Sequence, residues 1–425
     1  MMKEIKLLGL DQSVFYQKLE NGLDVYLIPY KNKINYAMHY ITKFGSRNTT
    51  FKPIHSKKML TVPDGIAHFL EHKMFESEDG IDPFTFAAKT GTSSNASTNF
   101  KTTRYYFEGN TGFEENLDYL LTFVNSPYFT DENVEKEKGI IAEEIKQYDD
   151  EVEWFLDEEM RKAVFKNDPV RIDIAGTVDS ISTITKELLY ETYDTYYQPS
   201  NMILIVSGNF DKEKALEIIK NNHSLNQKET NHKIEEEEIK EPVEVYEKEK
   251  ELEFNIATPK VAYAVKIPLA KVKDKYLFSL YLGLFNNIKF GLSSEFRERM
   301  KKKNLMTAFY TEREIYGDYL LMTFAANSEK PKELVSEIKK ELATFQIKEA
   351  EIERLKKVWI SSEVVMIDNM LITLDNILYD IINYGKVIDN KVEIFKSLNL
   401  KELEKVIHEI DFENASCVIV NPKKV

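Results

Sequence analysis

Residues 65–75 read Gly65-Ile66-Ala67-His68-Phe69-Leu70-Glu71-His72-Lys73-Met74-Phe75, inside a segment from about Gly65 to Glu76 that reads as helical. Four residues separate His68 from His72, so both imidazoles share one helix face, a turn apart, where both can reach one ion. Glu71 is three residues from His68, and its carboxylate can lie beside the same ion. Neutral imidazoles hold Zn2+ while leaving a position for water, and the metal lowers that water's pKa to about 7. A nearby carboxylate then accepts the proton as the water attacks a carbonyl. One pair of histidines at helical spacing is more often a surface accident than a ligand set. Here three specified residues coincide in a chain with seven histidines.

Catalytic zinc needs a third protein ligand. The acidic stretch 131–150, DENVEKEKGIIAEEIKQYDD, offers candidates. At about 100° per residue, Ile140, Ile141, Ile145 and Tyr148 define one apolar face. Glu137 and Glu144 project close to its middle, and Glu143 projects well off it. A carboxylate on a core-facing stripe is costly unless a cation compensates it, which selects Glu144 over Glu143 as ligand. Salt bridges from Glu137 and Glu144 to lysines of a neighbouring element are the alternative, preferred if the histidine motif were absent.

Composition narrows the chemistry further. At roughly 100–200 residues per domain, 425 residues predict two or three domains. A hydrophobic fraction of 43% and an aromatic fraction of 12% exclude a disordered chain. The single cysteine, Cys417, excludes a disulfide framework and any cysteine-based zinc or iron–sulfur site, so His, Asp or Glu must hold a metal. With 57 basic against 71 acidic residues the formal charge is −14, which argues against nucleic acid as partner. Met1 to Leu10 does not read as a targeting segment, and no run approaches the ~20 apolar residues of a membrane span. The expectation is a cytoplasmic protein with no membrane partner.

Strand-like runs occur at Leu23–Ile28, Tyr36–Ile41, Thr103–Phe107, Met202–Val206, Lys260–Ile267, around 305–325 and at Ala415–Val420. Helical patterns occupy about 113–126, 131–148, 152–165 and 184–197. The stretch 221–253, with four glutamates at 235–238 and few apolar anchors, reads as a charged, solvated linker. The expected organisation is therefore 1–220 as a catalytic domain, 221–253 as linker and 254–425 as a second domain. The other histidines (His39, His55, His223, His232 and His408) lack acidic partners at ligand spacing and read as structural or solvated.

His68-x-x-Glu71-His72, followed some seventy residues later by Glu137-x6-Glu144, resembles the inverted-zincin signature of the pitrilysin/insulinase metallopeptidases. Asn95-Ala96-Ser97-Thr98 and Thr103-x-Tyr105-Tyr106-Phe107 look like that family's active-site edge strand. Asp173-Ile174-Ala175-Gly176-Thr177-Val178-Asp179-Ser180-Ile181, Tyr197-x-Pro199-x-Asn201-Met202 and Phe290-Gly291-Leu292-Ser293-Ser294 are similar to further family segments. The resemblance implies an α+β fold of two related domains, each an antiparallel sheet with helices mainly on one face. It also implies one zinc per chain, held by His68, His72 and Glu144, with Glu71 as general base and Glu137 orienting a ligand from outside. Asn95 and Ala96 would lie on the strand that receives an extended peptide by β-augmentation.

Family members that act alone carry a second half that closes a chamber and supplies an Arg and a Tyr to stabilise the oxyanion. A chain of 425 residues corresponds to one half. Arg297 with Tyr310 is a candidate for that pair, with a structural role preferred for both. The expected assembly is a clam-shell dimer, either with a second copy or with a metal-less paralogue. The expected function is zinc-dependent endopeptidase. A dedicated leader-peptide peptidase and a non-catalytic assembly subunit are the alternatives.

Overall fold

The computed structural model describes residues 2–78, 80–148, 150–227 and 232–423. Part of the expected linker, 228–231, lies outside the described residues. The first compact unit contains β1 (Lys3–Lys6), β2 (Ser13–Lys18), β3 (Asp24–Pro29), β4 (Tyr36–Thr42), β5 (Thr50–Lys52), β6 (Leu60–Thr61), β7 (Ser93–Thr98), β8 (Thr103–Gly109), β9 (Met202–Gly208) and β10 (Glu235–Glu236). The second contains β11 (Glu249–Phe254), β12 (Lys260–Pro268), β13 (Ala308–Tyr316), β14 (Tyr319–Asn327) and β15 (Ala415–Pro422). No described helix is long and apolar enough to cross a membrane.

The main sheet of the first unit runs β1-β2-β3-β9-β4-β8-β7, and that of the second runs β11-β15-β12-β14-β13. The segment β3-β9-β4-β8-β7 repeats as β11-β15-β12-β14-β13, in the same succession along the chain. The directions also repeat: β3–β9 and β11–β15 are parallel, and the remaining pairs antiparallel. Each sheet is thus mixed by one pair, because β9 and β15 return after long helical excursions, the connection a parallel neighbour requires. These are the two related α+β domains that the sequence resemblance implies.

The compact units cut the chain differently from the expected boundaries at 220 and 254. The first comprises residues 1–146, 173–238 and 364–390, and the second 147–172, 239–363 and 391–425. Apolar cover explains both exchanges. β4 and β9 are buried along their whole length, so their sheet needs packing on both faces. One face meets Leu117, Leu121, Ile141, Leu189 and Tyr193. The other meets Leu374, Ile377 and Ile381 from the helix Met370–Tyr384, far away in sequence. In the second unit, the helix Val152–Val164 packs on β15 and β12.

The stretch 221–253 is largely exposed where it is described, yet it carries strand pairing and specific partners. β10 pairs with β5, the Tyr196 hydroxyl donates to Glu236 at 2.8 Å, and β11 joins the second sheet. Backbone pairing and buried partners give these glutamates places that composition does not reveal.

Candidate metal centre

The histidine helix, Ile66–Lys73, starts from Gly65 at φ +88°. A Cβ on Gly65 would collide with the Ala175 carbonyl, and one on Gly176, at φ +74°, with the Asp64 carbonyl. Two left-handed turns therefore meet backbone to backbone, which only glycine allows at such positions. Ser180 Oγ completes the joint by donating to the Asp64 carbonyl at 2.8 Å. This is the local role of the Asp173–Ile181 segment: it anchors the start of the histidine helix. Ile66, Ala67, Phe69, Leu70 and Lys73 are buried, which turns His68, Glu71 and His72 to the other side.

The acidic helix, Asp131–Tyr148, buries Asn133, Val134, Glu137 and Ile141. Ile140 and Tyr148, expected on the apolar face, are 47% and 39% exposed. The real stripe is rotated toward Val134 and Ile141, seven residues apart, and it still carries Glu137 and Glu144. Glu143 points away and pairs with Lys146 at 2.6 Å.

These two helices bring His68, His72 and Glu144 together, each offering one donor atom within 4.8 Å of the others. Among the described residues this is the one such group of metal-ligating side chains. His72 Nε2 lies 3.5 Å from Glu144 Oε2, and His68 Nε2 lies 3.8 Å from Glu144 Oε1. Zinc bonds of about 2.0–2.1 Å in a tetrahedron put neighbouring donors roughly 3.3 Å apart. The two His–Glu144 separations thus stand a few tenths of an ångström beyond that spacing. Two imidazoles and one carboxylate suit zinc.

The electrostatics agree with that fit. Burial, with the neighbouring His72, pushes His68 down to about 3, so its ring is neutral at pH 7 and keeps a lone pair to donate. Burial would also lower His72, but the Glu137 hydrogen bond and the charges of Glu137, Glu144 and Glu71 outweigh it and raise the group. Glu137 Oε1 sits 3.0 Å from His72 Nδ1, so Nδ1–H donates to it and Nε2 is left on the side of Glu144. Burial acts upward on Glu137, yet His72 and Lys73 hold its carboxyl below the usual range.

Lys73 and Thr98 are contacts that the sequence reading did not assign. The Lys73 side chain is fully buried, with Nζ 3.5 Å from Glu137 Oε2 and 2.9 Å from Glu76 Oε1. Its position four residues after Phe69 and seven after Ile66, on the apolar side of the helix, is the signal that could have found it. The salt bridge weighed as the alternative forms at Glu137 and not at Glu144: Glu137 meets a lysine and a histidine at once. Thr98 Oγ1 donates to Glu71 Oε2 at 2.6 Å.

Asn95 and Ala96 lie on β7, the edge of the first sheet, in register with Tyr106 and Tyr105 of β8. The Ala96 N–H is given to Asn95 Oδ1 at 2.9 Å and not to the β8 ladder, so its backbone faces the open edge. Arg297 is occupied elsewhere: Nε donates to the Phe290 carbonyl at 2.8 Å and Nη1 to the Phe309 carbonyl at 2.7 Å. Its role is structural, and Tyr310 is 48% exposed.

A His-x-x-Glu-His helix facing a glutamate helix, on one of two duplicated α+β units, defines a zinc-peptidase class of fold and site. Residues 62–178 match the family model "Insulinase (Peptidase family M16)", and residues 183–358 match "Peptidase M16 inactive domain". The chain is 42% identical, over 307 residues and 71% of each protein, to "Uncharacterized zinc protease YmfH" of Bacillus subtilis. It belongs to the M16 peptidase family. A solved M16-like peptidase from Alicyclobacillus acidocaldarius superposes with a TM-score of 0.90 at 29% identity, covering 98% of this chain and 100% of that one. The periplasmic protease PqqL of Escherichia coli shares the fold at a TM-score of 0.77 and 20% identity; 97% of this chain matches 48% of that one.

Proposed function

We propose that this protein is a zinc-dependent endopeptidase that cleaves peptides or unfolded segments, working as a clam-shell dimer. One observation carries the reading: a complete His68/His72/Glu144 ligand set with a carboxylate, Glu71, one residue away on the same helix. Zinc in this site would act as a Lewis acid that polarises the scissile carbonyl and acidifies water. Glu71, raised by burial and tempered by Thr98, accepts the proton of the attacking water and delivers it to the leaving amine. Glu137 and Lys73 hold His72 in the tautomer that ligation needs. Length supports the pairing with a second copy or a metal-less paralogue, since the chain spans about half of PqqL.

Zinc content and peptide hydrolysis test this together. The purified protein, alone and with its partner, should hold one zinc per chain and lose cleavage to a chelator. Glu144→Ala should lower zinc affinity at least tenfold in competition with a chromophoric chelator. Full zinc binding by that variant would remove Glu144 from the ligand set.

The edge strand gives a second test. An extended peptide adding to β7 would use the outward N–H of Ala96. Ala96→Pro deletes that donor without touching the β8 ladder, an arrangement that edge strands tolerate. KM should rise about tenfold with zinc content unchanged, one hydrogen bond being worth roughly 1 kcal/mol or more in a dry cleft. An unaltered KM would place the substrate elsewhere.

A further inference from the structure

We propose that Thr98 is a positioning residue for Glu71, tying the base to the strand that receives substrate. The proposal rests on the peptidase reading above and adds a residue to it. Thr98 Oγ1 lies 2.6 Å from Glu71 Oε2, the short separation of an O–H group donating to a carboxylate. One residue of the strand thus holds Glu71 through its hydroxyl. A hydroxyl has one proton, and a carboxylate can only accept, so the Thr98 proton is committed to Glu71.

The grip is itself held from behind. Thr103 Oγ1 stands 3.2 Å from Thr98 Oγ1 and 3.0 Å from the Phe44 carbonyl, and Thr103 is completely buried in register with Thr98. The buried Tyr105 and Tyr197 hydroxyls lie 2.8 Å apart. The buried Thr103 hydroxyl therefore borders the Thr98 hydroxyl that reaches Glu71.

The strand supplies the functional consequence. Ala96 and Thr98 are two residues apart on β7, hence on one face and roughly 6.6 Å apart along the strand. A peptide registered on Ala96 and a base registered on Thr98 share one rigid ruler. Their spacing is set by covalent geometry, where packing of separate elements would allow drift of the kind that costs rate.

Thr98→Val keeps shape but removes the hydroxyl, and Thr98→Ser restores it. With wild-type holoenzyme and its partner, the valine variant should lose at least tenfold in kcat, while KM and zinc content stay within twofold. The serine variant should recover most of kcat. Crystal structures give a readout independent of turnover: the Glu71 side chain should leave its position in the valine variant and keep it in the serine variant. Wild-type kcat in Thr98→Val, or an unmoved Glu71, overturns the proposal. A kcat loss accompanied by zinc loss, or unrepaired by serine, also overturns it by showing a structural role. If the wild-type protein cleaves no peptide, the peptidase reading fails, and the position of Glu71 in the two crystal structures alone decides the role of Thr98.

Discussion

Replacing Glu71 by Gln is expected to slow peptide hydrolysis by about 10²–10⁴-fold, the contribution of a positioned acid–base group, while zinc stays bound. The amide matches the carboxylate in shape and can still accept a hydrogen bond from Thr98 through its carbonyl oxygen. It cannot accept a proton from water or pass one to the leaving amine. Glu71 is outside the ligand set, since the grouped donors are those of His68, His72 and Glu144. Loss of activity with one zinc retained per chain, measured by metal analysis beside initial rates, separates base from ligand. Full hydrolysis with zinc bound would refute the base assignment. Burial raises the Glu71 carboxyl above its ordinary value of 4.5 in the metal-free protein.

Lys266→Met is expected to cost about 3–5 kcal/mol of stability, the penalty for leaving one member of a buried ion pair alone. Lys266 and Glu241 have side chains 0% and 2% exposed, with Nζ 2.7 Å from Oε1. The same ammonium donates to the Pro242 carbonyl at 2.8 Å and lies between the rings of Phe165 and Tyr319, 4.9 and 4.6 Å from their centroids. Glu241 in turn accepts the backbone N–H groups of Lys166, Asn167 and Asp168. Methionine fills the space but leaves the buried Glu241 carboxylate without its counter-charge. Denaturant melts would show the loss as a lower midpoint, and a melt unchanged by the substitution would contradict it. Replacing Glu241 by Leu at the same time should recover part of the loss, because no lone charge then remains.

The acid side of that stability has a definite sign. Burial pushes Glu241 up, but Lys266 and the three amides prevail and hold its carboxyl below its ordinary 4.5. Glu241's contribution is therefore complete above about pH 4.5 and is lost as pH falls through its lower folded value, whereas burial pulls Lys266 down despite Glu241, so the gain lies with the carboxylate and not with the ammonium.

Much of the site could be read in one dimension because a helix converts spacing into direction. Intervals of three and four residues placed His68, Glu71 and His72 side by side, and an interval of seven placed Glu137 and Glu144 on one stripe. The same rule misjudged Ile140 and Tyr148, which are exposed, because apolar character alone does not say which flank of a stripe a neighbour covers. Glu241 was invisible for a related reason. In a run of glutamates each looks solvated, and only Lys266 and three distant amides single one out. Thr98 lay within a quoted motif, but its link to Glu71 joins a strand to a helix across a gap of 27 residues.

By itself, then, the sequence pointed to the candidate ligand chemistry: one cysteine excluded thiolates, and helical periodicity set His68, His72 and Glu144 as candidates with a second carboxylate, Glu71, beside them. It also determined that two comparable α+β halves exist. The tertiary structure decided which segments complete each half, giving 147–172 to the second unit and 364–390 to the first. It also decided which groups support the centre: Lys73, Thr98 and the glycine joint at Gly65. The physical reason is one of range. Local periodicity is set by backbone dihedrals and survives in the chain as a pattern. The cover of a second sheet face, and the partner of a buried charge, are settled only when distant segments compete for the same apolar surface or the same proton.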